Sequence, residues 1–156
     1  MATKMGYFSY KINWIGTKTN KKMNSLKLKI PSLPDNVRIV ESFIENAKDR
    51  FSFDDDVYGN IMIAVTESVN NAILHGNKGD KTKDVSVTLD VLPHALCFII
   101  KDQGTGFDLE KLPDPTAPEN LLKPGGRGIF LIKHLADNVE FLEKGSCIKM
   151  TFNINS

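Results

Sequence analysis

The chain is poor in the residues that staple or anchor a protein: its 156 residues include two cysteines and one tryptophan. Cys97 and Cys147 fall in strand-like segments. They read as buried free thiols of a reducing cytoplasm, because neither a disulfide framework nor a metal cluster finds partners in the sequence. Long apolar runs are missing too. The apolar stretches, such as residues 95–100, are far shorter than the ~20 residues that span a bilayer. The N-terminus lacks the apolar segment of a signal peptide. The expected location is therefore cytoplasmic, with no membrane contact. Acid is absent from residues 1–29, which carry seven lysines, so the remainder holds 13 basic and 19 acidic residues. That acidic excess disfavours direct DNA binding. Residues 1–24 read as a basic, disordered, solvated extension. Residues 25–156 read as one domain of a size that supports a real core. No internal repeat occurs, and both GxxxxGK[ST] and GxGxxG are absent.

What is present is regular patterning. Leu26, Leu28 and Ile30 alternate with polar residues, which predicts a half-buried strand, and Pro31 and Pro34 end it. Asp35 or Asn36 is placed to cap a helix running to about residue 49, with Val37, Val40, Ile44 and Ala47 on one face. Asp54, Asp55 and Asp56 open a second helix, where acids suit the N-terminal dipole. Its inner stripe is Val57, Ile61, Ala64, Val65, Ser68 and Ala72, and it stops near Gly76. Two alternating strands follow, over residues 85–91 and 96–100, joined at Pro93-His94. Residues 102–107 form a glycine turn. Residues 108–124, with four prolines, read as a lid. A helix over 128–137 and a hairpin of 139–142 with 148–154 complete the order β-α-α-β-β-lid-α-β-β. The expected fold class is α/β (α+β): a two-layer sandwich whose mixed, mostly antiparallel sheet carries its helices on one face.

Three polar constellations interrupt this patterning. Glu67 and Asn71 lie four apart and share a helix face. Alone they could be a solvated rim, but Asn70, Asn71, His75 and Asn77 crowd the same helix end, and polar groups beside a core need partners. Asp102-Gln103-Gly104-Thr105-Gly106 follows an apolar strand. A carboxylate there is costly unless it meets a donor such as an adenine amino group, although a plain tight turn also explains the glycines. Gly125-Gly126-Arg127-Gly128 leads into a helix. Backbone N–H groups so exposed can hold phosphate, and a glycine-rich helix entry without a ligand is the alternative. His75 reads as a hydrogen-bonded residue at the helix end, His94 as a turn residue, and His134 as packing or surface.

Taken in order, these constellations resemble the histidine-kinase-like (GHKL) ATPases with the Bergerat ATP-binding fold, and most closely the bacterial anti-sigma-factor serine/threonine protein kinases. The resemblance is carried by TESVNNAILHGN (66–77), DQGTGFD (102–108), DPTAPENLLKPGGRGIFLIKHLAD (114–137) and EKGSCIKMTF (143–152). It implies ATP and Mg²⁺ as ligands. Asn71 would hold Mg²⁺ and Asp102 would accept from adenine, with Gly104 and Gly106 turning beneath the base. Gly126, Arg127 and Gly128 would lie along the phosphates, and Ser146, where the family usually has threonine, would sit near the adenine. Glu67 would be the general base. Also implied are a homodimer, a STAS-domain anti-anti-sigma protein as phosphoacceptor and a sigma factor as binding partner. A non-catalytic ATP-dependent regulatory module of the same fold is the alternative. The topoisomerase and chaperone branches need a transducer domain that this sequence does not display.

Overall fold

A computed structural model describes residues 13–14, 24–106 and 127–154. Its core is a sheet of six strands in the order β1-β2-β3-β4-β6-β5. These are β1 (Asn13–Trp14), β2 (Asn24–Pro31), β3 (Asp84–Val91), β4 (Ala95–Lys101), β5 (Asn138–Leu142) and β6 (Cys147–Asn153). Every ladder among the described residues is antiparallel, which sharpens the expectation of a mixed sheet. The last strand inserts between β4 and β5, so β6 is an interior strand. Asn13 and Trp14, within the segment read as an extension, pair with Lys27 and Leu26.

The period-2 patterning of the strands does what the pleat requires. Leu26, Leu28, Ile30, Val85, Val87, Leu89, Leu96, Phe98, Ile100, Ile148, Met150 and Phe152 all fall in the buried core. Their neighbours Lys27, Lys29, Ser86, Thr88, Lys101 and Lys149 point to the other face, half-buried or exposed. Helices α1 (Val37–Phe51), α2 (Asp55–Asn71) and α3 (Arg127–Leu135) supply the second layer. From α1, Val40, Phe43, Ile44 and Ala47 enter the core; Phe43 joins the expected stripe, whereas Val37 is only partly buried. From α2, Ile61, Ala64, Val65, Ser68 and Val69 are buried.

The helix ends follow their capping chemistry unevenly. Asp54 caps α2 as expected, its Oδ1 accepting from the Val57 N–H at 2.8 Å. At α1, Asn36 occupies the cap position without a side-chain cap bond. Its Nδ2 instead donates to the Pro31 carbonyl at 2.9 Å, tying the helix start to the end of β2. Beyond α2 the chain widens into a single π-helical turn, Ala72–Gly76, closed by the Asn77 N–H on the Ala72 carbonyl at 2.8 Å. Such turns recur at functional sites.

Candidate active site

The strand period places the carboxylate. Leu96, Phe98 and Ile100 face the core, and the next residue of that parity is Asp102, 9% exposed. On the neighbouring strand Ser146 extends the row of Ile148, Met150 and Phe152 in the same way, and it is 8% exposed. The ladder continues between them, the Asp102 N–H donating to the Ser146 carbonyl at 2.9 Å. Two polar residues thus prolong two apolar rows into one end of the core.

There they line a cleft of about 280 Å³. Ser68, Asn71, Ala72, His75 and Gly76 line it from α2 and the π turn, and Ile129 and Ile132 from α3. Ile100, Gly106, Phe141, Gly145 and Ile148 complete it from the sheet and its loops. The walls are largely apolar, with a few convergent polar groups, which is the chemistry of a small-molecule site.

Asp102 is held closely. Its Oδ1 accepts from the Gly104 N–H at 2.7 Å. A β-carbon at Gly76 would collide with the Asp102 carboxylate, and one at Gly104 with the Gly76 carbonyl. Both positions therefore require the absence of a side chain. Gly106 has φ 82° and lies against the Lys144 carbonyl, so it is doubly restricted to glycine. Burial pushes the Asp102 carboxyl above its ordinary value, opposed by the Gly104 N–H and the charge of Lys83.

Glu67 does not line the cleft. A β-carbon on Gly128 would lie 3.0 Å from Glu67 Oε2, 3.0 Å from Asn71 Nδ2 and 3.5 Å from Asn71 Oδ1. The start of α3 therefore sits over both side chains, with Arg127 exposed at its first position. Gly126 and the lid segment 108–124 lie outside the described residues. No group of three or more His, Cys, Asp or Glu is placed to hold a metal among the described residues. The donors present are the Asn71 carboxamide and the Glu67 carboxylate, which are oxygen ligands of the kind magnesium takes beside phosphate and water.

Some contributors were not foreseen. Gly76 lies inside the motif that marked Asn71, and its role comes from the π turn, which has no sequence signature. Ile129, Ile132 and Phe141 carry ordinary core patterning. His75, read as a hydrogen-bonded helix end, is exposed at the cleft wall. His134 is exposed and stacks on Phe130 at 6.1 Å between ring centroids.

An antiparallel sheet under one helical layer, with an acid at the floor of an apolar cleft and a glycine-entered helix at its rim, defines a nucleotide-binding domain. The chain belongs to the histidine kinase-like ATPase domain family, whose profile matches residues 30–152. It is 32% identical over 137 residues to serine-protein kinase RsbW of Bacillus licheniformis, covering 83% of this chain and 86% of that one. The namesake of Bacillus subtilis (strain 168) is 28% identical over 137 residues, with the same coverage of 83% and 86%. Among solved structures, that of the RsbU and RsbW domains of Rv1364c from Mycobacterium tuberculosis superposes with a TM-score of 0.59 at 14% identity. That match covers 84% of this chain and 32% of the other, and it concerns the fold alone.

Proposed function

We propose that this chain is a serine/threonine protein kinase that uses ATP with Mg²⁺ to phosphorylate a STAS-type anti-anti-sigma protein, and that it restrains a sigma factor once that protein is phosphorylated. The observation that carries the kinase reading is the meeting of Glu67, Asn71 and the start of α3 beside a cleft floored by Asp102. The names of the relatives supply the acceptor amino acid, and the resemblance supplies the partners. The working unit is a cytoplasmic homodimer without direct DNA contact.

Asp102 accepts a hydrogen bond from the adenine amino group, with Gly104, Gly106 and Ser146 around the base. Arg127 and Gly128 lie along the phosphates, where the N-terminal dipole of α3 favours negative charge, and the resemblance adds Gly126 to the same role. Asn71 would hold magnesium, which when bound neutralises phosphate charge. Glu67, one turn earlier on α2, takes the proton from the acceptor hydroxyl. The hydroxyl oxygen bonds to the γ-phosphorus as the bridge to the β-phosphate breaks, and ADP leaves. Phosphoryl transfer rests mainly on positioning and charge neutralisation, and these residues provide both.

The test is incubation of the full chain with radiolabelled ATP, Mg²⁺ and a cognate STAS-domain protein. Label should pass to the partner. Glu67→Gln should reduce transfer by about 10²–10⁴-fold, the usual worth of a general base, while nucleotide affinity persists. Asn71→Ala should abolish Mg-ATP binding measured by calorimetry. Tight binding with no transfer by the wild type would favour a non-catalytic ATP-dependent module, and transfer unchanged in Glu67→Gln would remove the general-base role.

A further inference from the structure

Asn77 is 1% exposed, and its side chain is fully engaged. Nδ2 donates to Ser32 Oγ at 2.8 Å and to the Asp84 carbonyl at 3.0 Å. Oδ1 accepts from the Gln103 N–H at 2.7 Å. A backbone N–H only donates and a carbonyl only accepts, so these partners fix which way the amide faces. Gln103 closes a ring, its Oε1 accepting from the Asp84 N–H at 2.7 Å. Three hydrogen bonds thus join the end of the π turn, the start of β3 and the loop after β4.

The Gln103 N–H belongs to the peptide unit that follows Asp102. The unit that precedes Asp102 is held as well, by its own N–H on the Ser146 carbonyl at 2.9 Å. With both flanking peptides anchored, φ and ψ of Asp102 are set, and they aim the bond from Cα to Cβ. Gly76 and Gly104 then confine the carboxylate sterically. The Ser146 anchor is ordinary ladder bonding. The anchor on the other side depends on one buried carboxamide, at the point where the strand has ended and no ladder partner follows.

We propose that Asn77 is a positioning residue for adenine selectivity: it acts through the Asp102–Gln103 peptide to aim the Asp102 carboxylate at the 6-amino group. This rests on the reading of Asp102 as the adenine acceptor. The side chain of Asn77 is buried and does not line the cleft. Its effect belongs to discrimination between bases rather than to phosphate binding, which the residues on α2 and α3 provide.

The probe is inosine triphosphate, which presents a carbonyl where ATP has the amino group, so that acceptor meets acceptor. Affinities of ATP and inosine triphosphate are compared by calorimetry, with chemical denaturation in parallel. Wild type should prefer ATP by about 10- to 100-fold, the worth of one charge-assisted bond. Absence of that preference overturns the Asp102 reading, and the proposal with it. Given the preference, Asn77→Ala should collapse it to within about threefold of unity through weaker ATP binding, with inosine triphosphate affinity little changed. Ser32→Ala removes a different bond of the same amide; it should lower stability while keeping the preference. Equal loss for both nucleotides, or an intact preference in Asn77→Ala, overturns the proposal. Should Asn77→Ala not fold, Asn77→Ser withdraws the acceptor from Gln103 while keeping a polar group at the site, and it carries the same expectation. Failure of both to fold assigns Asn77 to the fold alone and likewise overturns it.

Discussion

At the scale of single residues, the role proposed for Asp102 sets ligand recognition against stability. Burial raises its pKa, so ionisation of this carboxyl costs more in the fold than in the unfolded chain. Its contribution to stability is therefore fully present below the unfolded pKa and is lost as pH rises through the raised folded value. Above the raised pKa the nucleotide-free protein bears the desolvation cost of a buried carboxylate. Asp102→Asn keeps an oxygen for the Gly104 N–H and removes the charge. It is expected to raise the melting temperature of the nucleotide-free protein while weakening ATP by about 10- to 100-fold. Melting curves and calorimetry measure the two effects. Wild-type ATP affinity should also decline as pH falls through the raised pKa, because the protonated group loses its acceptor strength, and Asp102→Asn should lack that decline. Asp102 was legible because a charged residue continued an apolar alternation. The shared helix face of Asn71 and Glu67 was legible from their spacing, whereas the role of Asn71 came from the resemblance. Asn77 was only one polar residue in a cluster, since its three partners come from segments far apart in sequence.

At the scale of elements, helices and strands followed their patterns, whereas the tight joints did not. Alternation gave the strands almost residue by residue, and the Asp54 cap fixed the start of α2. The π turn was invisible, because one extra residue in a helical turn leaves no periodic trace over so short a stretch. The left-handed backbone of the β5–β6 connection was equally opaque, although the hairpin itself was read. Glu143, Lys144 and Gly145 have φ of 50°, 57° and 89°, yet only the last is a glycine. Left-handed backbone at a residue with a side chain costs about 1–2 kcal/mol, against about 0.5–1 kcal/mol of extra unfolded-state entropy for glycine. Lys144→Gly should therefore stabilise the protein by roughly 0.5–1 kcal/mol in urea unfolding. The Lys144 carbonyl abuts Gly106, so this connection also seats the glycine loop after Asp102. Steric compatibility of two loops distant in sequence has no local code.

At the scale of the whole molecule, the layering, the hydrophobic core and the two hairpins were legible in the sequence, while the order of the remaining strands was not. Alternation says which face of a strand is buried and is silent on which strand lies beside it. A ligand in the cleft touches α2, α3 and the ends of β4 and β6, so it should lock the domain as a unit. Nucleotide that binds only the folded form adds about 2.7 kcal/mol of stability at a hundredfold excess over Kd. A melting temperature that rises with ATP concentration measures this, and Asn71→Ala should flatten the rise. The place of β6 between β4 and β5 has one more consequence. Protein synthesis runs from the N-terminus, so a nascent chain displays the asparagine helix and the aspartate turn long before its final strand leaves the ribosome. Until that strand pairs with β4, the Ser146 carbonyl that anchors the Asp102 N–H is missing. The proposed site is thus incomplete without the C-terminal strand, and a chain truncated before Ser146 should fail to bind ATP in calorimetry.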